Sequence, residues 1–315
     1  MVTGANHFSG GLGVPGHDLP QSLAGRDGCP VACGEAPVRV TVVGSVNLDL
    51  VATLPRLPEP GETLTASSFT RVPGGKGANQ ALAVRRLGLA VRLVAAVGTD
   101  PEADRALELL RQESVDLDRL QRVNEATGLA LIAVDTAGDT TITVVPGANA
   151  TLEISAADVA SADAVLTVLE VPDHAVTAAA RHATGLFVLN AAPARPVPDE
   201  VLQRADLVVV NRAEYAALPG LHAAPAVAVT DGPRGAVLLR NGRQAAAATP
   251  PPVQAVDGTG AGDAFLAAAV AGLLQGLADT DLLIRACAAG ALAATRPGAQ
   301  PSLPTAEQID EVLAG

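Results

Sequence analysis

Residues 257–265 read DGTGAGDAF, and the helix-prone run LAAAVAGLLQGL follows directly at 266–277. Three glycines therefore lead from an irregular segment into a long predicted helix. The amides of Gly260, Ala261 and Gly262 are expected at the start of that helix, unpaired and at the positive end of its dipole. Because small side chains let an anion approach such amides, the stretch predicts an anion site that suits a phosphate.

Asp263 lies beside these predicted amides, and its carboxylate has two interpretations. It is either a stabilising charge in the first turn of the helix or a base aimed at a nucleophile next to the phosphate. The local sequence leaves both open.

Outward from this stretch, short β-branched runs alternate with Ala/Leu-rich segments of helical length. The apolar runs are VRVTVVG, VRLVAAVG, AVLTVLE, GLFVLN, DLVVVN and AVAVT, and the predicted helices are 76–88, 101–113, 173–184, 198–204 and 212–218. Continuous apolar strands between helices indicate a parallel sheet covered on both faces. No break in composition separates these units, so we predict one α/β domain over residues 38–315.

Two stretches, 61–71 and 127–147, are typical of antiparallel strands instead. The second contains DTAGD, a hairpin turn signal, between two β-branched runs. They form either a small lid or interface sheet, with lid strands within about 50–72 and 127–147, or an edge extension of the main sheet. An apolar face left over on a lid would pair with a second subunit.

Composition excludes several classes of protein. The 315 residues carry a net charge of -12 with no basic block, which argues against nucleic acid as a partner. No apolar run is long enough to span a bilayer, and the N-terminus lacks the order of a secretory signal. Three cysteines are too few for a disulfide framework, so a cytoplasmic location is expected. Residues 1–37, rich in Gly, Pro and Ser, are predicted to be a disordered extension.

Polar residues end several of the predicted parallel strands. Open α/β sheets bind ligands beyond the carboxyl ends of their strands, whereas Asn, Asp and Thr are also common helix N-caps. Glu170 is a poor N-cap, and the number of such endings favours a shared ligand crevice. The residues concerned are Asn47, Asp49, Glu170, Asn190, Asn211, Thr230 and Asp231.

A second glycine stretch, GGKGANQA at 74–81, also leads into a predicted helix. It contains Lys76, the single lysine among 21 basic residues. A compact ammonium is not interchangeable with a planar guanidinium, so this lysine invites a role in a site, although chance retention is the alternative. Neither the P-loop pattern nor the dinucleotide fingerprint GxGxxG is present, which disfavours a dinucleotide-dependent oxidoreductase.

Together, GGKGANQA and DGTGAGDAF resemble the two signatures of the ribokinase family of carbohydrate kinases, also called the PfkB family. Supporting segments are GSVNLDL, PGETL, PGANATL, LNAAPARPVPDE, NRAE, TDGPRGA and TRPGAQPSLP. The resemblance covers residues 38–315. It implies a ribokinase-like three-layer sandwich with a mainly parallel central sheet and a small β-sheet lid.

The resemblance also implies roles for individual residues. Asp263 becomes the catalytic base, and Gly260, Ala261 and Gly262 form an anion hole around the transferring phosphoryl group. Contacts to the sugar hydroxyls are implied for Asn47, Asp49, Gly75, Lys76, Gly77, Asn79 and Glu170. Contacts to ATP are implied for Asn190, Thr230, Gly232, Pro233, Arg234, Gly235, Gly262 and Cys287, the last at a position where relatives can carry a histidine.

Two cations are implied as well. Asn211 and Glu214 match an NxxE motif linked indirectly to Mg²⁺ and phosphate. A monovalent cation, usually K⁺, is implied beside the anion hole. The matching residues are Asp257, Thr259, Ala293, Arg296, Gly298 and Ser302.

The activity implied by the resemblance is ATP-dependent phosphorylation of D-ribose at O5, by a homodimer joined through the β lid. Other members of the family phosphorylate other sugars or nucleosides, so deoxyribokinase, fructokinase and pseudouridine kinase activities are alternatives. A non-catalytic sugar or nucleotide sensor on the same fold is a further alternative. Asp263 argues against a sensor, because a sensor needs no base.

Overall fold

A computed structural model describes residues 39–315. The predicted N-terminal extension lies outside these residues. The described strands are β1 (Arg39–Val43), β2 (Asn47–Leu54), β3 (Ser68–Gly74), β4 (Ala90–Val94), β5 (Ala96–Val97), β6 (Gln121–Arg122), β7 (Gly128–Asp135), β8 (Thr140–Val145), β9 (Ala164–Val168), β10 (Leu186–Asn190), β11 (Leu207–Asn211), β12 (Ala226–Thr230), β13 (Ala236–Arg240) and β14 (Arg243–Ala248).

The α-helices connect these strands. They are α1 (Lys76–Arg86), α2 (Pro101–Ala106), α3 (Glu108–Gln112), α4 (Ala156–Val159), α5 (Asp173–His182), α6 (Asp199–Arg204), α7 (Arg212–Ala217), α8 (Ala261–Leu274), α9 (Asp279–Ala293), α10 (Ala299–Ser302) and α11 (Ala306–Ala314). The helix predicted over 101–113 is two helices, α2 and α3. They meet at Leu107, where the backbone turns (φ −96°, ψ 0°) while the side chain stays fully buried.

The main sheet has eight strands in the order β14-β13-β12-β11-β10-β9-β1-β4. Strands β12 to β4 in this order are parallel, and β13 and β14 are antiparallel to their neighbours. One buried apolar cluster packs α1, α8 and α9 on one face, and a second packs α5 and α6 on the other. The predicted sheet with helices on both faces is confirmed.

A separate sheet of four strands, in the order β3-β2-β7-β8, stands beside the main one. It excludes the alternative of an edge extension of the main sheet. Within the predicted stretch 61–71, only residues from Ser68 onward form a strand. The apolar side chains of this four-stranded sheet remain exposed on both of its faces, with Ile142 exposed by 58% and Leu131 by 45%.

None of the helices within residues 39–315 is both long and apolar enough to cross a membrane.

The two sheets are joined where the loop after β1 contacts the start of α1. A Cβ on Gly77 would lie 2.5 Å from backbone atoms of Gly44 and Ser45. A Cβ on Gly44 would likewise lie 2.6 Å from the Gly77 Cα. Real Cβ atoms do not come so close, so positions 44 and 77 must both be glycine here. The amide of Ala78 donates to the Ser45 carbonyl at 2.9 Å, which holds the contact.

We predict that Gly77→Ala lowers the free energy of unfolding by about 1–3 kcal/mol, because the new methyl forces two backbones apart. Gly220→Ala is the matched control, since its Cβ would meet only a Leu202 methyl at 3.6 Å. That variant should change stability by less than about 1 kcal/mol. Chemical denaturation measures both, and equal losses would contradict the proposed role of the contact.

Candidate active site

The carboxyl ends of neighbouring parallel strands place the predicted polar residues along one edge of the main sheet. Asn190, Asn211 and Thr230 are the last residues of β10, β11 and β12, and Glu170 follows β9 by two positions. Asn47 and Asp49 are different, because they lie within β2 of the small sheet. The register pairs Asn47 with Gly74 and Asp49 with Val72 of β3, so the site lies between the two sheets.

Asp263 is at the centre of this space, in the first turn of α8 and only 5% exposed. The side-chain amide of Asn79 donates to its Oδ2 at 3.0 Å. The side-chain amide of Gln80 donates to its Oδ1 at 2.9 Å. Two consecutive residues of α1 therefore hold the two carboxylate oxygens of a residue nearly two hundred positions later.

Asn47 is oriented by Asn149, a fully buried residue after the small sheet. Asn149 Nδ2 donates to Asn47 Oδ1 at 2.8 Å and to the Val46 carbonyl at 3.1 Å, and its Oδ1 accepts from the Val46 amide at 2.9 Å. Gly128 leaves room for this pair, because a Cβ there would collide with both side-chain amides. Asn149 lies in the segment PGANATL, but no local sequence pattern marks it as a site residue.

Glu170 is fixed by the loop after β1 and the start of α1. The Ser45 hydroxyl donates to Glu170 Oε2, and the Lys76 amide donates to the same oxygen at 3.2 Å. Ser45 Oγ accepts in turn from the Gly77 amide at 3.3 Å. Ser45 is a second site residue that could not be found from the sequence, because a lone serine after a strand carries no distinctive pattern.

Asp49 has an unusual carboxyl group. Its burial, together with the negative charges of Glu170 and Asp263, raises the pKa of Asp49 to about 7. Gly74 lies directly against this carboxyl and has no space for a side chain. Within residues 39–315, Asp49 Oδ1 and Asn79 Oδ1 are buried without a hydrogen-bond partner. Both are acceptors, so the site suits a ligand that brings hydroxyl donors.

Lys76 supplies the positive charge of the site. Burial alone lowers the pKa of its ammonium, but the carboxylates of Asp263, Glu170 and Glu214 outweigh burial and raise it. Lys76 therefore stays protonated and partly balances the carboxylates around it. Gly75, just before it, has φ +87° and packs against the Asn47 amide, so only glycine suits this turn.

The predicted anion site is at the start of α8, with one correction. Gly260 has a left-handed backbone (φ 80°) and packs against Ala299. The Ala261 amide donates to the Gly258 carbonyl at 3.2 Å, so it is not unpaired as predicted; the left-handed turn at Gly260 folds it back onto that carbonyl. No partner for the Gly260 and Gly262 amides is found in the described part of the chain. A Cβ on Gly262 would point into open space, so the fold does not explain this glycine.

Asp257 ties the glycine loop to the loop after α9. Its Oδ1 accepts from the Thr259 amide and hydroxyl at 2.9 and 2.6 Å, and its Oδ2 accepts from the Gly298 amide at 2.7 Å. Burial raises the pKa of Asp257, but these hydrogen bonds outweigh it and lower the pKa overall. The other predicted cation residues border the same two loops: Ala293 ends α9, Arg296 is exposed, and Ser302 is buried at the end of α10.

Asn211 and Glu214 form a capping box at the start of α7. The Glu214 amide donates to Asn211 Oδ1 at 2.8 Å, and the Asn211 amide donates to Glu214 Oε2 at 2.7 Å. For Asn211 the N-cap interpretation is therefore correct, while its place at the sheet edge is also as expected. No cluster of three or more His, Cys, Asp or Glu side chains arranged to hold a metal is found among residues 39–315.

Of the predicted nucleotide residues, Thr230 ends β12 and residues 232–235 follow it, whereas Asn190 ends β10, Gly262 lies in α8 and Cys287 lies in α9. Gly232, Pro233 and Arg234 form a 3₁₀ turn, and Gly235 (φ 94°) returns the chain into β13 against Ala248. Asp231 accepts hydrogen bonds from Arg234 and Arg212, which lower the pKa of its carboxyl to about 2. Thr230 Oγ1 donates to the Val210 carbonyl at 3.3 Å. Cys287 is buried in α9, and burial raises the pKa of its thiol to about 11, which disfavours the reactive thiolate form at neutral pH.

Residues 38–306 match the family model described as pfkB family carbohydrate kinase. The ribokinase of Haemophilus influenzae is 34% identical over 300 residues, which span 87% of this chain and 98% of that protein. The ribokinase structure from Thermotoga maritima superimposes with a TM-score of 0.81 at 31% identity, covering 89% of this chain and 100% of that one. Arabidopsis thaliana ribokinase, complexed with ribose and ATP, gives 0.80 at 30% identity and the same coverage.

The chain belongs to the pfkB family of carbohydrate kinases. Its fold is the ribokinase-like α/β fold, as predicted. It is an ATP-dependent sugar kinase, as the resemblance implied.

The raised pKa of Asp49 should make the free energy of unfolding depend on pH. An unfolded aspartate has a pKa near 3.8, while the folded one is about 7, so the native state holds an extra proton between these values. The contribution of Asp49 to the free energy of unfolding should therefore fall as pH rises from about 4 to about 7. Asp49→Asn lacks this titrating group. Its free energy of unfolding, relative to that of the wild type, should therefore rise by up to about 1.4 kcal/mol per pH unit in that range.

Chemical denaturation at several pH values measures this difference. Asp139→Asn, in the exposed turn between β7 and β8, is the control and should follow the wild type. A pH-independent gap between wild type and Asp49→Asn would contradict the prediction.

Proposed function

We propose that this protein phosphorylates D-ribose at O5 with ATP to give D-ribose 5-phosphate. The observation that carries the proposal is the buried Asp263 carboxylate, which is held by two side-chain amides in the first turn of α8. Among residues 39–315, the neighbouring backbone amides of Gly260 and Gly262 have no hydrogen-bond partner. A proton acceptor and phosphate-binding amides are thus joined in one turn. The ribokinase identity of relatives over nearly their full length supports the choice of ribose.

The reaction needs little covalent chemistry from the protein. O5 of the sugar attacks the γ-phosphorus, its proton passes to Asp263, and the bond to the bridging oxygen of ADP breaks. Phosphoryl transfer depends mainly on positioning and charge neutralisation. The fixed backbone amides of Gly260 and Gly262 stabilise the negative charge of the transferring phosphoryl group without having to reorganise. Loss of one such donor typically lowers the rate by about 10²–10³.

The sugar is held by groups with complementary hydrogen-bonding capacity. The unpartnered oxygens of Asp49 and Asn79 accept from hydroxyl groups, and Glu170 is already oriented by Ser45. Lys76 donates to ligand oxygens as a compact point charge, which an arginine would not replace. Gly75 and Gly77 allow the backbone to come close, and Asn47 completes the set.

For the nucleotide we propose the groups along the other half of the sheet edge. Asn190 and Thr230 lie at strand ends, and the exposed turn Gly232–Arg234 precedes Gly235. Cys287 lies behind β14, with its thiol 3.7 Å from the Ala248 carbonyl, and forms an apolar wall here. A bound Mg²⁺ would neutralise phosphate charge. Glu214, oriented by Asn211, is the acidic group we place near that charge, through water rather than by direct ligation.

We also propose a K⁺ site behind the glycine loop. The chemistry of the donors fits a monovalent cation: Asp257 supplies one carboxylate, and the backbone carbonyls of Ala293, Arg296 and Gly298 are hard oxygen ligands at the end of α9. Thr259 and Ser302 supply hydroxyl oxygens. Bound there, the cation would stabilise the two loops that Asp257 already connects.

We propose that two copies pair through the small sheet, which would then act as a lid. The register places Ile142 and Val144 on the same face of that sheet as Asp49, while Leu131 is on the opposite face. Exposed apolar groups on the Asp49 face are suited to a partner sheet. Such a partner would also exclude water from the sugar. We further propose a cytoplasmic location, which the use of ATP and the few cysteines support.

An ATP-consumption assay over pentoses, hexoses and nucleosides tests the function, in potassium and in sodium buffers. We expect D-ribose to be the best substrate, ahead of 2-deoxyribose, fructose and pseudouridine, and turnover to be faster in potassium. Asp263→Asn should keep most sugar affinity but lose about 10²–10⁴ in kcat, because the proton acceptor is gone.

Phosphate transfer to another acceptor in preference to ribose would reassign the substrate within the family. Near wild-type kcat in Asp263→Asn would contradict the base assignment, and equal rates in both buffers would contradict the cation site.

The dimer is tested by sedimentation velocity. Ile142→Glu should convert a dimer into a monomer, because it buries a charge in the proposed interface. Leu131→Glu is the matched control on the opposite face and should remain dimeric. A monomeric wild type, or a dimeric Ile142→Glu protein, would overturn the proposal.

A further inference from the structure

We propose that Gln80 is a positioning residue for the catalytic base, an inference that rests on the proposed function of Asp263. Gln80 is the last residue but one of the GGKGANQA stretch and is fully buried. Its Nε2 donates one hydrogen bond to Asp263 Oδ1 at 2.9 Å and another to Asn190 Oδ1 at 3.1 Å. Because the side chain has no exposed surface, it acts on the reaction only through these two neighbours.

The orientation of the Gln80 amide is determined by the main sheet. Asn190 Nδ2 donates to the backbone carbonyl of Val209 in β11 at 3.1 Å, which turns Asn190 Oδ1 toward Gln80. Gln80 then faces two oxygens, the Asn190 amide oxygen and the Asp263 carboxylate. Only its NH₂ group satisfies both, so neither hydrogen is free for another partner.

This chain of hydrogen bonds anchors the base to the backbone of β11. Asn79 holds the other carboxylate oxygen, but Asn79 also has an unpartnered Oδ1 that suits the sugar. The Gln80 NH₂ group, in contrast, is fully occupied by Asp263 and Asn190, and the buried Gln80 Oε1 has no partner among the described residues. Gln80 is the fixed support that keeps Asp263 aimed at the reacting hydroxyl before and during binding.

If Asp263 loses its orientation when Gln80 is replaced, turnover should slow while sugar binding stays unchanged. Gln80→Met keeps a long unbranched side chain and removes both donors; we expect kcat to fall about 10- to 100-fold. The KM for ribose should change by less than about threefold, because Gln80 does not touch the sugar. Gln80→Glu keeps the shape but places a second carboxylate beside Asp263 and can donate at most one proton, so its kcat should fall further.

Leu82→Met, two residues along the same buried helix, is the matched control and should keep wild-type kcat. Partial unfolding of a variant would lower its apparent kcat without changing KM, so thermal unfolding is measured for each variant and kcat is calculated per folded enzyme. The proposal is overturned if both Gln80 variants keep kcat within about twofold of wild type, or if KM rises as much as kcat falls.

A second measurement is independent of turnover and of the substrate. Crystal structures of the wild type and of Gln80→Met should show one Asp263 side-chain conformation in the wild type and a rotated or divided one in the variant. An unchanged carboxylate in the variant overturns the inference, whatever the enzyme phosphorylates. Failure of the wild type to phosphorylate ribose would instead reject the proposed substrate and leave this comparison decisive for Gln80.

Discussion

The contact between the backbones of Gly44 and Gly77 is the constraint on which the site depends. It sets the loop after β1 directly against the first turn of α1, at a separation that no side chain permits. From that contact, Ser45 reaches both Glu170 and the Gly77 amide. The direction of α1 then places Asn79 and Gln80 beside Asp263 of α8. The proposed sugar site, the proposed base Asp263 and the start of α8 are therefore positioned by one close approach.

The carboxylates in the site are held mainly by neutral hydrogen-bond donors rather than by ion pairs. Asp49, Glu170 and Asp263 surround a space served by one ammonium, and the first of these carboxyls has its pKa raised to about 7. Two of the three are held by neutral donors, Ser45 for Glu170 and the amides of Asn79 and Gln80 for Asp263. Such donors keep a carboxylate oriented without adding a cation that would compete with phosphate.

Much of this arrangement could be predicted from the sequence, and the reasons for the rest are physical. Alternating apolar runs predicted the parallel sheet, and the polar strand ends predicted the edge that carries Glu170 and Asn190. Asn47 and Asp49 were expected at that edge but belong to β2, because the chain re-enters a strand after only three residues. Ser45, Gln80 and Asn149 act through long-range hydrogen bonds, and no local spacing encodes such partners. The pairing of the Ala261 amide likewise depends on the left-handed turn at Gly260.

The use of a single lysine has a chemical consequence. Lys76 carries the one side-chain amine in the 315 residues, since every other basic side chain apart from histidine is an arginine. Its pKa is raised, so at neutral pH the ammonium form dominates and the amine reacts slowly with acylating or carbonyl reagents. Apart from the terminal amine, any amine-directed label on these residues would therefore report the state of one group in the proposed sugar site.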